Sequence, residues 1–576
     1  MTLNPAALPV HGPMDSPIRL MLWGAAVCAS LAWLMPTHEL PWTAFHAELA
    51  MAMAALLGCT AILHALRWRI AAVPSLAVAA AAMAAIPLLQ FLAGTLSFLG
   101  DAILASLYLL SFAAMVVAGH HASRLWSGSR VLEASAWTAL LGAIASSAMA
   151  LCQWLVPDDL PMLVNQLIPH ERPYANLLQP NLLATLLVLG LLATACLFDR
   201  RRIGTLASVL LAGLLAFGLV LAQARVAWLE LVVILALAIC KRRAWTGRLG
   251  LRHLAVGVAL LALAQLAWTL LDPMLGESVA RDAVLREQST GNRLIHWREM
   301  VAALQLQPWE GYGWMGSGVA QYAVVAGFPA THEVLAYSHN LVLDLLVWNG
   351  VPLGLAMVAW LCAWLWRTVR HTADSTTLLA LAGLMAMLVH AQVEFPLAYT
   401  YFLLPAGMLC GLLCANVLPA SVRATPVWVS PLLLCCATGV LVVVSLDYFA
   451  IEQKMRMLRF EQARIGLGKS RPDAAPIRML THLDAVLRLG RTPERENMTE
   501  AQLAEMRRVV ARFPSGPNMV RLAAALALNQ RPDESAQVLR RICKLETEPG
   551  CRNMQVLWAA LAVRQPALLQ VTWPAP

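Results

Sequence analysis

The chain has 576 residues, of which 59% are hydrophobic and 13% are charged, and its mean hydropathy is +0.65. A soluble domain needs far less apolar sequence to fill its core, so the composition predicts an all-α polytopic membrane protein. The formal net charge is +9, but most arginines outside the C-terminal region lie in short loops between apolar runs, where they determine topology. This distribution argues against nucleic-acid binding.

About thirteen apolar runs are long enough to cross the roughly 30 Å of hydrocarbon in a bilayer. They begin at Ile18, Phe45, Ala72, Asp101, Ala134, Pro180, Ile203, Val226, His253, Leu341, Thr376, Tyr401 and Trp428. Basic residues such as Arg200–Arg202 and Lys241–Arg243 occur in every second loop, and such loops stay in the cytoplasm. We therefore expect a cytoplasmic N-terminus and an outward-facing C-terminal region.

Two parts of the chain depart from this apolar pattern. The first is a large outer loop over residues 272–340, inside a transmembrane domain that we place at 1–448. The second, over 449–576, is a polar domain of amphipathic helices. The stretch from Asn518 and the stretch from Arg531 together resemble a tetratricopeptide-type helix hairpin, and an unrelated helical bundle is the alternative.

His339 stands at the end of the outer loop, where polar sequence meets the apolar run that begins at Leu341. Long inserts between membrane spans are usually functional, and histidine is the side chain that exchanges protons near neutral pH. We therefore predict that His339 belongs to an active site on the outer side of the membrane. A helix-capping or packing histidine is the alternative.

Further polar residues lie at the outer ends of apolar runs. Placing a polar side chain there costs free energy, so such residues usually serve a function or bond to neighbouring helices. Arg225 lies in a turn so short that it must sit at the membrane boundary, and there it needs an anionic partner such as a lipid phosphate. Ordinary headgroup contact is the alternative for this arginine. The other candidates are Arg172, Gln179, Asn181, Arg293, Asn340, Glu394, Tyr399 and Tyr401.

The twelve cysteines show no metal-ligand spacing, and we predict no metal site. Cys543 and Cys551 are the two that lie in a polar region. Because the loop pattern puts both on the oxidising side of the membrane and their separation permits a closed turn, we predict a disulfide between them. Two free, buried thiols are the alternative.

Several short motifs occur together in a recognisable order. They are Gln179-Pro-Asn181 opening a helix, Arg225-Val-Ala-Trp-Leu229, Arg293 with Trp297, Pro308 through Gly313, Ser338-His-Asn340 and Glu394-Phe-Pro396 with its tyrosines. In this set the chain resembles the O-antigen ligase superfamily, and within it the PglL-type protein O-oligosaccharyltransferases. The resemblance extends from about Pro87 into the C-terminal domain.

The resemblance implies a transmembrane glycosyltransferase domain and a periplasmic C-terminal domain in a bacterial inner membrane. The donor would be a glycan on undecaprenyl diphosphate, and the acceptor a hydroxyl. His339 would act as the general base, and Arg172, Arg225 and Arg293 would bind the donor diphosphate. The remaining candidates would position substrates: Gln179, Asn181, Asn340, Glu394, Tyr399 and Tyr401. Direct displacement would invert the anomeric centre without metal or cofactor.

The residues leave several functions open. A ligase acting on lipid A core, or an O-antigen polymerase, would use the same donor, and a transporter of lipid-linked glycans is a more distant alternative. We expect a protein acceptor, such as pilin or another exported protein, because a soluble helical domain offers a surface that captures a flexible segment. An alternative is that this domain only braces the last span.

Overall fold

A computed structural model describes residues 15–70, 72–157, 159–167, 171–271, 279–417, 425–465 and 476–574. The regular structure is helical, as the all-α prediction requires. The α-helices are α1 (Ser16–Leu34), α2 (Phe45–Ala65), α3 (Ser75–Met83), α4 (Ala85–Leu92), α5 (Leu99–Trp126), α6 (Gly128–Leu155), α7 (Pro180–Asp199), α8 (Thr205–Ala222), α9 (Arg225–Cys240), α10 (Leu251–Leu271), α11 (Val279–Leu306), α12 (Ser317–Val324), α13 (Leu341–His371), α14 (Ser375–His390), α15 (Thr400–Val417), α16 (Val429–Gln462), α17 (Thr481–Arg491), α18 (Glu500–Arg512), α19 (Gly516–Leu528), α20 (Pro532–Leu545) and α21 (Glu548–Arg564). Short 3-10 helices cover Arg242–Ala244, Val325–Gly327, Pro396–Ala398 and Pro566–Gln570.

The chain forms two compact units, which are described separately. The first comprises Met1–Met83, Tyr108–Ser278 and Leu361–Val442, and the second comprises Ala84–Leu107, Val279–Trp360 and Val443–Pro576. The predicted division at residue 448 therefore differs from the packing, because the outer loop groups with the C-terminal helices.

Ten helices of the described residues are long and apolar enough to cross a membrane, α3 and α4 counting together as Ser75–Leu92. The other predicted spans coincide with α9 and α14, of 16 residues each, and with α10, whose apolar part is Ala255–Leu270. Every predicted span thus meets a helix, as expected for a multi-pass membrane protein. The number of crossings stays a prediction.

Helix α7 lies at the centre of the first unit, against α6, α8, α9 and α14. It begins at Pro180, a favoured first residue because proline lacks the N–H that a first turn leaves unpaired. Small residues let its neighbours approach: a Cβ on Gly190 would lie 2.5 Å from the Ala143 side chain of α6. Such contacts hold membrane helices together where the hydrophobic effect between them is absent.

Helix α13 breaks at Gly350, whose φ of 75° lies in the left-handed region that favours glycine. A Cβ there would lie 2.1 Å from the Trp309 carbonyl oxygen, so the outer loop packs directly against the break. The Val351 N–H donates to the Pro308 carbonyl at 2.8 Å, and the Tyr312 N–H donates to the Val347 carbonyl at 2.8 Å. Loop and helix backbones thereby complete each other's hydrogen bonding.

The outer loop contains more helix than the sequence suggested, since α11 alone has 28 residues. Its buried face carries His296 and Glu299 beside Met300 and Ala303, so polar residues interrupt the hydrophobic periodicity by which a helix is recognised. After the 3-10 helix at Val325–Gly327, residues 328–340 run without regular structure to His339 and Asn340. We call residues 328–340 the strap.

The C-terminal helices α17 to α21 share one hydrophobic core. Leu522 of α19 and Leu539 of α20 are buried within it, and burying a leucine side chain stabilises a water-soluble domain by about 1.5–3 kcal/mol. Helices α19 and α20 match the predicted hairpin, although its tetratricopeptide type stays a prediction. Helix α16 extends from the last span into the polar region, and α21 follows the hairpin.

Candidate active site

The predicted site residues fall into two groups, one in each compact unit. The membrane group in the first unit contains Arg172, Gln179, Asn181, Arg225, Glu394, Tyr399 and Tyr401. The loop group in the second unit contains Arg293, His339 and Asn340.

Glu394 joins two predicted residues at the start of α7. Its carboxylate accepts hydrogen bonds from Gln179 Nε2 at 3.2 Å and from Asn181 Nδ2 at 3.0 Å. Glu394 is only 3% exposed, and a buried carboxylate requires such donors. Glu394 lies more than 200 positions from Gln179 and Asn181 in the sequence, and the structure brings all three together.

A second buried cluster lies next to this one and was not predicted as a site. Thr185, one turn after Asn181 on α7, bonds Glu230 Oε1 at 2.5 Å and His390 Nδ1 at 2.6 Å. His390 precedes Glu394 by one turn, and the Glu394 N–H donates to its carbonyl at 2.9 Å. A glutamate inside the apolar run of α9 was the available signal, because charge within a span is functional by default.

The turn between α8 and α9 is contacted by Arg172 and is followed directly by Arg225. Arg172 Nη1 donates to the Gln223 carbonyl at 3.0 Å, and Gln223 adopts a left-handed conformation with φ 45° just before α9. Arg225 is the first residue of α9 and is exposed. Two guanidinium groups beside a helix N-terminus, with its partial positive charge, favour an anionic ligand.

Tyr399 and Tyr401 stack with their ring centroids 5.0 Å apart. Tyr401 is only 4% exposed, and its carbonyl accepts from Trp33 Nε1 at 3.0 Å. Tyr399 is half-buried. Of the two rings, Tyr399 is the more exposed, and the buried Tyr401 packs against it.

His339 sits at the end of the strap in a left-handed conformation with φ 59°. Hydrogen bonds hold both of its neighbours in the chain, Ser338 and Asn340. The Ser338 N–H donates to Asp344 Oδ1 at 2.8 Å, and Asn340 Oδ1 accepts from the Leu343 N–H at 3.0 Å, which caps the first turn of α13. A strained backbone persists only where its surroundings hold it, and such residues cluster at functional sites.

Asp344 connects this turn to α12. Its Oδ1 also accepts from Ser317 Oγ at 2.6 Å, and Ser317 in turn accepts from Trp348 Nε1 at 2.8 Å. Asp344 is 3% exposed and interacts electrostatically with His339. The carboxylate thus holds the histidine turn against α12.

Arg293 lies on α11, one turn before Trp297, so both share one face of the helix. Trp297 Nε1 donates to the Ser338 carbonyl at 3.0 Å. Arg293 is therefore on the side of α11 that faces the histidine turn. Its membership of the site stays a prediction.

The neighbouring face of α11 carries a buried hydrogen-bond network that was not predicted from the sequence. His296 lies between two carboxylates, with Nδ1 3.1 Å from Glu299 Oε2 and Nε2 3.1 Å from Glu333 Oε2 of the strap. Burial alone would lower the pKa of His296, but the two carboxylates outweigh it and raise that pKa above its usual value. The hydrogen bond from His296 holds the pKa of Glu333 below its usual value.

Among the described residues, no group of three or more histidine, cysteine or acidic side chains could hold a metal ion. The structure joins Cys543 and Cys551 in a disulfide, with their Cα atoms 4.9 Å apart. This bridge connects the end of α20 to the first turn of α21.

The apolar helices are those of a multi-pass membrane protein, and it carries two groups of polar candidate residues. The family described as "O-Antigen ligase" matches residues 210–359, and the family described as "Virulence factor membrane-bound polymerase, C-terminal" matches residues 378–545. A "General O-oligosaccharyltransferase" from Acinetobacter baylyi is 30% identical over 543 residues, which is 91% of this chain and 92% of that protein. A "ComP-specific O-oligosaccharyltransferase" from the same organism is 37% identical over 115 residues, 20% of this chain and 21% of that protein.

The chain therefore belongs to the PglL-type O-oligosaccharyltransferases of the O-antigen ligase superfamily. This family assignment confirms the resemblance found in the sequence.

Proposed function

We propose that the chain transfers a preassembled oligosaccharide from undecaprenyl diphosphate to serine or threonine hydroxyls of exported proteins such as pilin. The reaction takes place at the periplasmic face of a bacterial inner membrane, where the C-terminal domain also lies. The observation that carries this proposal is the similarity to a general O-oligosaccharyltransferase over 91% of the chain.

His339 is the general base of the proposed reaction. The acceptor oxygen attacks the anomeric carbon while its proton passes to the imidazole, and the bond from that carbon to the diphosphate oxygen breaks. Asp344 holds the turn that presents the imidazole, because it accepts from the Ser338 N–H next to His339. Because the acceptor attacks opposite the leaving group, the anomeric centre inverts.

Arg172, Arg225 and Arg293 bind the donor diphosphate. The leaving group departs with the bonding electron pair and is already acidic, so it needs charge stabilisation rather than protonation. Guanidinium groups supply this with paired N–H donors that match phosphate oxygens. The exposed position of Arg225 at the start of α9 suits a ligand that arrives from the membrane surface. The mechanism requires neither a metal nor a cofactor.

The other polar residues position the substrates. Gln179, Asn181 and Glu394 form one hydrogen-bonded cluster whose amides are held in fixed orientation toward sugar hydroxyls. Asn340 holds the histidine turn by capping α13. Tyr399, supported by Tyr401, lines the approach of the acceptor.

A second candidate function is glycan polymerisation or ligation to lipid A core. The family described as a membrane-bound polymerase matches residues 378–545, which include the C-terminal hairpin, and the "O-Antigen ligase" family matches residues 210–359. Both reactions would use the same donor, so the acceptor decides between them.

Reconstitution with competing acceptors tests the proposal. Purified protein in proteoliposomes would receive a lipid-linked oligosaccharide together with a pilin-type exported protein and lipid A core. We expect mass spectrometry to find the intact oligosaccharide on serine or threonine of the protein. Glycosylated lipid A core without modified protein would instead identify a ligase, and a lengthened donor glycan would identify a polymerase.

A further inference from the structure

The strap that carries His339 is also attached to the C-terminal domain, through His332. The His332 N–H donates to the Lys544 carbonyl at 2.9 Å, and His332 Nδ1 lies 2.6 Å from the Glu546 carbonyl oxygen. A carbonyl only accepts, so Nδ1 carries the proton and donates. Both acceptors lie at the C-terminal end of α20, where helix carbonyls lack partners within the helix.

The Cys543–Cys551 disulfide closes the same segment. Its ring encloses Lys544 and Glu546, so the two carbonyls that hold His332 lie inside a covalent loop. The Glu546 side chain adds a further constraint, because its Oε1 accepts from the Gly516 N–H at the start of α19 at 2.5 Å. The acceptors of His332 are therefore held from both sides.

Between His332 and His339 the strap has no secondary structure of its own, and its path follows from contacts with helices. Gln321 of α12 donates to the Glu333 carbonyl at 3.1 Å and accepts from the Leu335 N–H at 2.8 Å. His296 bonds the Glu333 side chain. A contiguous series of hydrogen bonds of this kind can carry a displacement from one end of a segment to the other.

We infer that His332 is a positioning residue for His339, and that the disulfide-closed end of α20 is the anchor against which it positions the strap. This inference rests on the proposed function, because positioning matters only if His339 acts on a substrate. Loss of the anchor would move or loosen the base without removing any group that touches substrate, and misplacing a catalytic group by about 1 Å can lower a rate by about 100-fold.

Two substitutions of nearly equal shape isolate the hydrogen bond. His332 has φ 59°, a conformation that both Asn and Asp tolerate. In H332N the amide can donate in place of Nδ1, whereas in H332D a carboxylate faces the Glu546 carbonyl and cannot. We expect H332N to keep turnover within about threefold of wild type, and H332D to lower kcat by about 10- to 100-fold while the acceptor KM changes by less than about twofold.

The anchor is tested by removing the disulfide. Treatment with dithiothreitol reduces the bridge to two thiols, and we expect kcat to fall in wild type. C543S should show the same reduced kcat without treatment and no further response to the reductant. C436S is the matched control, because Cys436 is free and exposed and lies outside the site, so this variant should keep both the turnover and the reductant sensitivity of wild type.

A measurement without substrate separates this inference from the proposed function. Hydrogen exchange of strap amides should accelerate in H332D and in reduced wild type, and remain slow in H332N. If wild type transfers no glycan to any acceptor, the proposed function fails, and the attachment of the strap is judged by exchange alone. Wild-type kcat in H332D, or unchanged strap exchange in both H332D and reduced protein, would overturn the inference.

Discussion

Asp101 and Arg512 form a bidentate salt bridge inside the second compact unit. Arg512 Nε lies 3.1 Å from Asp101 Oδ2, and Arg512 Nη2 lies 3.0 Å from Asp101 Oδ1. The pair joins the first turn of α5 to the last residue of α18. The start of a membrane helix is thereby fixed to the C-terminal domain by the geometry in which guanidinium and carboxylate bind most strongly.

Substituting D101N should destabilise the C-terminal helices by about 3 kcal/mol, because it leaves a largely buried guanidinium without its carboxylate. Pulse proteolysis of α18 to α20 across a urea series would measure the change. The control is R488Q, which removes an exposed ion pair with Asp484 and should cost less than about 1 kcal/mol. Equal effects of the two substitutions would contradict a special role for the Asp101–Arg512 bridge.

H339A should abolish glycan transfer, with a loss of at least about 100-fold, because the acceptor hydroxyl loses its base. Glycoprotein mass spectrometry and expression level would be measured together. H371A is the control, since His371 is exposed and its Nδ1 bonds within its own helix, to the Arg367 carbonyl at 2.8 Å. Near-normal glycosylation by well-expressed H339A would remove this histidine from catalysis.

R225K should lower kcat/KM by at least about tenfold, because an ammonium group cannot present the paired donors of a guanidinium to a phosphate. Steady-state kinetics at varied donor concentration would show the effect. R243K, in the 3-10 helix that follows α9 and also exposed, should behave like wild type. Full activity of R225K would mean that Arg225 contacts ordinary headgroups.

The His296 network should weaken as pH rises. The folded pKa of His296 is raised above its ordinary value of 6.5, so its stabilising contribution is complete below that pH and is lost as pH rises through the folded pKa. Glu333 shows the opposite pH dependence because its pKa is lowered. Its contribution to stability is present above its ordinary pKa of 4.5 and is lost as pH falls through the folded pKa. Neutral imidazole has one N–H and cannot donate to both carboxylates.

Thermal unfolding of the second unit from pH 5 to pH 9 would reveal this dependence. We expect the alkaline loss in wild type to be absent in H296Q, whose amide does not titrate in this range. An identical pH profile for wild type and H296Q would exclude His296 as its source.

Alkylation under denaturing conditions should label ten cysteines before reduction and twelve after it, because the structure leaves ten of the twelve outside the disulfide. Twelve labels without reduction would show that Cys543 and Cys551 are free.

A reporter fused after Leu467 should be active only in the periplasm, and cytoplasmic activity would overturn the proposed orientation.

The sequence was informative where one local property determines structure. Each apolar run predicted from hydropathy coincides with a helix of the described residues, and proline marked the first residue of α7. It was less informative where the answer depends on distant partners. Glu230 is recognisable as a charge inside an apolar run, but its link to Thr185 and His390 appears only after folding. In α11, buried His296 and Glu299 conceal the helical periodicity because their burial depends on residues far along the chain.

The break in α13 at Gly350 depends on residues that are synthesised before this helix. A bilayer offers no water to unpaired backbone groups, yet α13 departs from helical geometry and obtains bonds from Pro308 and Tyr312. Those residues precede α13 in the chain, so a ribosome synthesises them before the helix is released to the membrane. The groups that make this helix compatible with lipid are thus already available when it is inserted.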